Sequence, residues 1–147
     1  MTKHMTTSRT LISAFALVAL AGCGGAATSK ANAELKKAGV EVAKGTLPAD
    51  FPKDLPTPAL PLETAVKAAG TYTMRYTSKD AKADATAYEK VLDKAGYMLT
   101  GEVDGLGGGS DNFTVTAKKG TSHITASAFG AAAPGGGNYM AVVVTTE

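Results

Sequence analysis

Five of the six prolines in this 147-residue chain stand between residues 48 and 61: Pro48, Pro52, Pro56, Pro58 and Pro61. Each fixes its own φ, lacks an N–H and pushes the residue before it toward extended backbone. The stretch is therefore expected to be extended, partly polyproline II, and without regular hydrogen bonds. A stiff spacer is one reading. A second is a strap whose Leu47, Phe51, Leu55 and Leu60 dock on the domain, and a third is a polyproline ligand for a partner. Apolar residues recurring this often favour docking, because a pure spacer has no use for them.

After the prolines the periodicity changes. Thr64–Ala68 reads as a short strand punctuated by Gly70. In Thr71–Thr77, Tyr72, Met74 and Tyr76 alternate with Thr71, Thr73, Arg75 and Thr77, the period of a half-buried strand. Ser78 to Ala95 reads as a helix. Ser78 or Asp80 can cap it, Ala81, Ala85, Tyr88, Leu92 and Ala95 share one face, and Gly96 follows where a left-handed residue is wanted. Strands are expected at Tyr97–Val103, Asn112–Lys118, Ser122–Ala128 and Tyr139–Thr146. The short turn Lys119-Gly120-Thr121 makes the middle two an antiparallel hairpin. Met140–Val144 is apolar on both faces, which suits a central strand.

These elements predict an α+β two-layer sandwich: one helix on a mainly antiparallel sheet of about five or six strands. The expected division is a signal peptide over 1–22, a flexible tether over 23–46, the Pro-rich strap over 47–63 and the α+β domain over 64–147. The tether is placed on the small, polar composition of 24–33, with a short helix within Ala33–Val42 as an option limited by Gly39 and Gly45.

At the N-terminus, Lys3 and Arg9 precede the apolar run Leu11–Leu20, and Leu20-Ala21-Gly22-Cys23 follows. This is the order of a secretory signal peptide. The apolar run is too short for a membrane span, which takes about 20 residues. Cys23 is the only cysteine, and an ordinary signal peptide with a different cut site would leave it as one unpaired thiol in an oxidising compartment, which is unusual. Leu-Ala-Gly-Cys resembles the lipobox of bacterial lipoprotein precursors. The resemblance implies cleavage between Gly22 and Cys23, a diacylglyceryl thioether on Cys23, and acylation of the new amino group by a fatty chain such as palmitate. Two or three chains hold a protein stably where one holds marginally. The expected location is the cell membrane or the outer membrane, with the domain outside the cytoplasm. Gly24 lacks the aspartate that commonly retains such proteins at the inner membrane. The mature domain also resembles small lipid-anchored envelope proteins of bacteria, including actinobacteria, that carry an Asp-Phe-Pro-type segment; here it reads Asp50-Phe51-Pro52-Lys53-Asp54-Leu55-Pro56. That likeness covers roughly residues 48–147 and transfers no functional residue beyond Cys23.

Charge excludes some functions. The formal +2 comes from Lys3 and Arg9, which leave with the signal peptide, so 13 basic residues balance 13 acidic ones in the remainder. There is no basic footprint for nucleic acid and no polybasic run for anionic lipid. Gly105-Leu106-Gly107-Gly108-Gly109-Ser110 invites a phosphate-loop reading, but a strand follows it rather than a helix, and no Lys is placed to serve one. Asp104 and Asp111 flank those glycines without the stacked repeats that a glycine-rich calcium site needs. Ala131–Asn138 is a second loose loop, and the two loops at one sheet end would make a binding edge. His123, the only histidine after the signal peptide, falls on a polar strand face with no second metal ligand of its kind. Ser110, Ser122 and Ser127 sit in no nucleophile-elbow pattern. No catalytic residue, metal or cofactor is expected.

Two functions remain. One is a non-enzymatic, lipid-anchored envelope protein whose domain meets a partner protein or wall component. The alternative is an anchored lipid- or small-ligand-binding protein with a pocket between helix and sheet, lined by Tyr72, Tyr76, Tyr88 and Tyr97.

Overall fold

The computed structural model describes residues 33–104, 112–130 and 137–146. A short helix over residues 33–37 (α1) leads into β1 (Val40–Lys44). Then follow β2 (Leu62–Ala68), β3 (Thr71–Thr77), α2 (Ala81–Lys94), β4 (Met98–Asp104), β5 (Asn112–Lys119), β6 (Ser122–Phe129) and β7 (Tyr139–Thr146). The strands form one seven-stranded sheet in the order β1-β2-β3-β7-β6-β5-β4, with every neighbouring pair antiparallel. The fold is α+β, as expected. β7, the strand with apolar residues on both faces, holds the central place between β3 and β6.

The sheet exceeds the expected five or six strands by β1. Val40–Lys44 is only five residues long and stands between Gly39 and Gly45, both at positive φ. That brevity hides its alternation. Its pairing with β2, from Val40↔Ala68 to Lys44↔Thr64, corrects the expected tether, whose last part belongs to the sheet. The tether before residue 33 and the whole signal peptide, Gly22 and Cys23 included, lie outside the described residues. At the other end of the strap, β2 begins at Leu62 and so takes over two residues assigned to it.

The helix forms where expected. Asp80 is the N-cap, its Oδ1 accepting the Ala83 N–H at 2.9 Å. Asp84 accepts from the Ser78 hydroxyl at 2.6 Å and suits the positive end of the helix dipole. At the C-terminus, Tyr97 N–H reaches Leu92 O at 3.0 Å and Gly96 N–H reaches Asp93 O at 2.9 Å. Gly96, at φ +77°, supplies the left-handed residue of this Schellman arrangement. Leu92 and Tyr97, the two positions whose apolar contact frequently accompanies this motif, are both buried.

α2 lies over β4, β5, β6 and β7. Of the β3 residues on this face, Tyr76 lies near enough to Tyr88 of the helix to act on its hydroxyl, at the border between the two covers. The half of the same face built from β2 and β3 is covered by the strap. Phe51 and Leu55 are buried, and the Phe51 ring meets Tyr72 edge-on with centroids 5.2 Å apart. Pro48 and Pro58 are buried, Leu60 is half-buried against the core, and Leu47 is exposed. The docked reading of the strap therefore holds for Phe51, Leu55 and Leu60, and not for Leu47. One core runs beneath both covers, with Ala65, Met74, Ile124, Ala128, Met140, Val142, Val144, Tyr88 and Leu92 at its centre.

Candidate functional site

Alternation along each strand sends one set of side chains under the helix and strap and the other set to the opposite face of the sheet. Among the described residues, nothing in the fold covers that second face. Its middle row runs Val66, Thr73, Val143, Thr125, Thr116 and Gly101 across six strands. The next row runs Thr64, Arg75, Ala141, Ser127 and Thr114. β-branched and small residues dominate because they suit a pleated surface with close cross-strand neighbours.

Several hydroxyls on this face are held within the sheet. Thr114 Oγ1 and Ser127 Oγ lie 3.1 Å apart, and Thr100 donates to Thr116 Oγ1 at 3.2 Å. Thr116 in turn donates to Gly101 O at 3.2 Å. A Cβ at residue 101 would lie 2.8 Å from Thr116 Oγ1, so glycine is needed beside this hydroxyl. The ladder is irregular there, between Leu99 and Gly101.

One end of the face is aromatic. Phe129 and Tyr139 stack with centroids 4.7 Å apart and planes 25° from parallel. The Arg75 guanidinium lies 4.1 Å from the Tyr139 ring centre. A bulge between Leu62 and Thr64 re-aims Glu63, whose Oε2 sits 2.9 Å from Arg75 Nε and whose Oε1 accepts from Thr77 Oγ1 at 2.9 Å. Arg75 Nε is buried and aligned with no acceptor, so the pair is held by charge rather than by a directed hydrogen bond at that nitrogen.

The four tyrosines proposed as a pocket lining lie in the core. All are buried: Tyr72 and Tyr76 on β3, Tyr88 on α2, and Tyr97 just before β4. The Tyr88 hydroxyl donates to Pro56 O at 2.9 Å and that of Tyr72 to Asp50 O at 3.2 Å. The Tyr76 hydroxyl has the Met74 sulfur at 3.5 Å. Burial pushes the Tyr76 hydroxyl up to about 12. It raises Tyr88 further, aided by Tyr76 and Tyr97, and it raises Tyr97 as well. Strap carbonyls as acceptors were not readable from sequence: the strap's prolines remove donors, but nothing in the order of residues says which hydroxyl meets which carbonyl.

The remaining candidates are dispersed. His123 is exposed, with Thr145 and Lys118 as its cross-strand neighbours. Ser122 and Ser127 are half-buried. Residues 105–111, with Ser110 and Asp111, and residues 131–136 lie outside the described residues, as does the side chain of Asp104. Among the described residues, no three His, Cys, Asp or Glu side chains gather as a metal set would. No helix among them is long and apolar enough to cross a membrane. Comparison with protein-family models, with curated proteins and with solved structures finds no match to this chain.

Proposed function

We propose that this chain is a lipid-anchored envelope lipoprotein, held to a cell membrane or outer membrane through Cys23, whose non-enzymatic α+β domain is presented to a partner protein or wall component. The observation that carries this reading is the uncovered sheet face. It offers Val66, Val143, Thr73, Thr125 and the Phe129–Tyr139 stack on a rigid seven-stranded support. Rigid sheets displaying β-branched and aromatic side chains suit protein or glycan contact. The ligand-pocket alternative draws less support, because Tyr72 and Tyr88 use their hydroxyls to hold the strap.

Two measurements test the reading. Cys23→Ser should release the protein from the membrane fraction or block its processing; a processed, membrane-bound variant would overturn the anchor. A photo-crosslinking residue at exposed Thr125 should give a defined envelope adduct that the same residue at exposed Ala83, on α2, does not. Equal yields from both positions, or none, would overturn presentation by the open face.

A further inference from the structure

The chain enters the sheet at Val40. The row through that residue marks one end of the domain: Val40, Ala68, Thr71, Thr145, His123, Lys118 and Met98. The same end holds the C-terminus of α2, because Lys119 Nζ donates to Ala95 O at 2.6 Å and lies 5.6 Å from the Tyr97 ring centre. Lys94, Lys118, Lys119 and His123 are all exposed there. Beside them Met98 is 60% exposed and Leu99 39% exposed, large apolar side chains on an edge strand. The carboxylates near the lysines are Asp93, one residue from Lys94, and Asp54, which faces Tyr97 from the strap next to Lys53; Glu41, beside Val40, stands at the far edge of the row opposite Lys67. At the opposite end the acids Asp80 and Asp84 of the helix N-terminus stand beside Lys79 and Lys82, and Glu63 is paired with Arg75.

Resting on the lipid-anchor reading above, we infer that this lysine- and methionine-bearing end docks on the anionic phospholipid surface in which Cys23 is anchored. Nine residues lie between Cys23 and the first described residue, Ala33, a reach of at most about 35 Å. That reach keeps the Val40 end at high effective concentration beside the bilayer. Lysines attract anionic headgroups only within about a Debye length, so an unanchored domain with so few of them would bind weakly. Tethering converts that weak attraction into an orientation. Met98 supplies apolar surface at the headgroup boundary. The strands then stand away from the membrane, and the open sheet face is turned sideways where a partner can reach it. No basic run in the sequence marks this end; the fold gathers Lys94 beside Lys118 and Lys119.

The chain has no tryptophan, so single reporters are clean. The full chain is matured in a bacterial host, purified with its anchor, and reconstituted into vesicles of phosphatidylcholine alone or of equal parts phosphatidylcholine and phosphatidylglycerol, with brominated acyl chains as quenchers. The Met98→Trp reporter should be quenched in the anionic vesicles far more than an Ala83→Trp reporter near the opposite end. High salt should abolish the difference. Lys118→Glu and Lys94→Glu should each reduce the docked population about fivefold or more. Both sites are exposed, and salt gives the same readout without any substitution at a lysine. Equal quenching of the two reporters in anchored protein overturns this inference alone. Protein that does not associate with vesicles and lacks acyl mass on Cys23 overturns the anchor reading, and this inference with it.

Discussion

Side by side on one face of the sheet, α2 and the strap cover the same core with opposite kinds of backbone. The helix satisfies its own amides and carbonyls through its turns, its Asp80 cap and its Schellman end. Its burial is therefore almost wholly apolar: Ala81, Ala85, Tyr88 and Leu92. The strap makes only two short turns of its own, Phe51 N–H to Pro48 O and Leu55 N–H to Pro52 O. Its other carbonyls need partners from outside. Tyr72 supplies one for Asp50 O, Tyr88 one for Pro56 O, and the Thr77 N–H one for Pro61 O at 2.9 Å. Lys67 adds a charge-assisted hydrogen bond to Asp50, which holds that carboxyl below its ordinary value and lifts Lys67 above its own. A proline-rich cover can thus take the place of a helix where side chains beneath it carry donors. Tyr88 belongs to both regions, since its ring is helix core and its hydroxyl is a strap fastening.

The largest effect should come from alkali, which attacks the seam between the two covers. Burial raises Tyr76, Tyr88 and Tyr97, so the folded state keeps their protons while the unfolded chain loses its own near pH 10. Their contribution is complete below about pH 10 and is lost as the pH climbs toward 12. Phenolate absorbance and circular dichroism followed together should show one cooperative transition in that interval. Tyrosines that ionise near pH 10 while the fold persists would place them outside the core.

Next in size is Leu92→Ala, which leaves a cavity under the helix half and should cost about 2–5 kcal/mol, measured by urea denaturation. A domain of this size has about 5–15 kcal/mol in total, so much of its stability should disappear. A loss below about 1 kcal/mol would show that the helix face collapses without harm. Tyr88→Phe sharpens the comparison because it removes only the fastening. It should cost about 1–3 kcal/mol through the orphaned Pro56 carbonyl. Limited proteolysis should then cut within residues 50–60 before α2 is touched. Cleavage spread evenly through strap and helix would mean that the two covers unfold as one unit.

How much of this was legible follows from the range of the interactions. α2 and the alternation in β3, β5 and β6 rest on neighbours within a few residues, and composition and spacing reveal them. β1 is too short for its period to stand out between two glycines. The β3–β7 ladder joins Thr71 to Thr145, and no local pattern marks that pairing. The open face was visible as alternating threonines. Which half of the other face the helix would cover depends on where the chain crosses the sheet, and no local pattern marks that crossing.

The smallest expected effect lies on the face that neither cover touches. His123→Ala should change stability by less than about 0.5 kcal/mol, as exposed substitutions do, in the same urea assay. A larger loss would mean that the Thr145 and Lys118 neighbours depend on the imidazole.

β1 also makes the fold a mechanical object. It is an edge strand with β2 as its one ladder partner, and all load borne by the residues before Val40 enters the domain through it. Tension along the strand axis shears five residue pairs at once. Tension across the sheet opens them singly, beginning at Val40 and Ala68. Once β1 peels away, residues 40–50 can extend to at most about 35 Å, and pull reaches the strap at Asp50 and Phe51. The fastening that the pull meets there is Phe51 against Tyr72, a single side-chain contact in place of a ladder of backbone pairs.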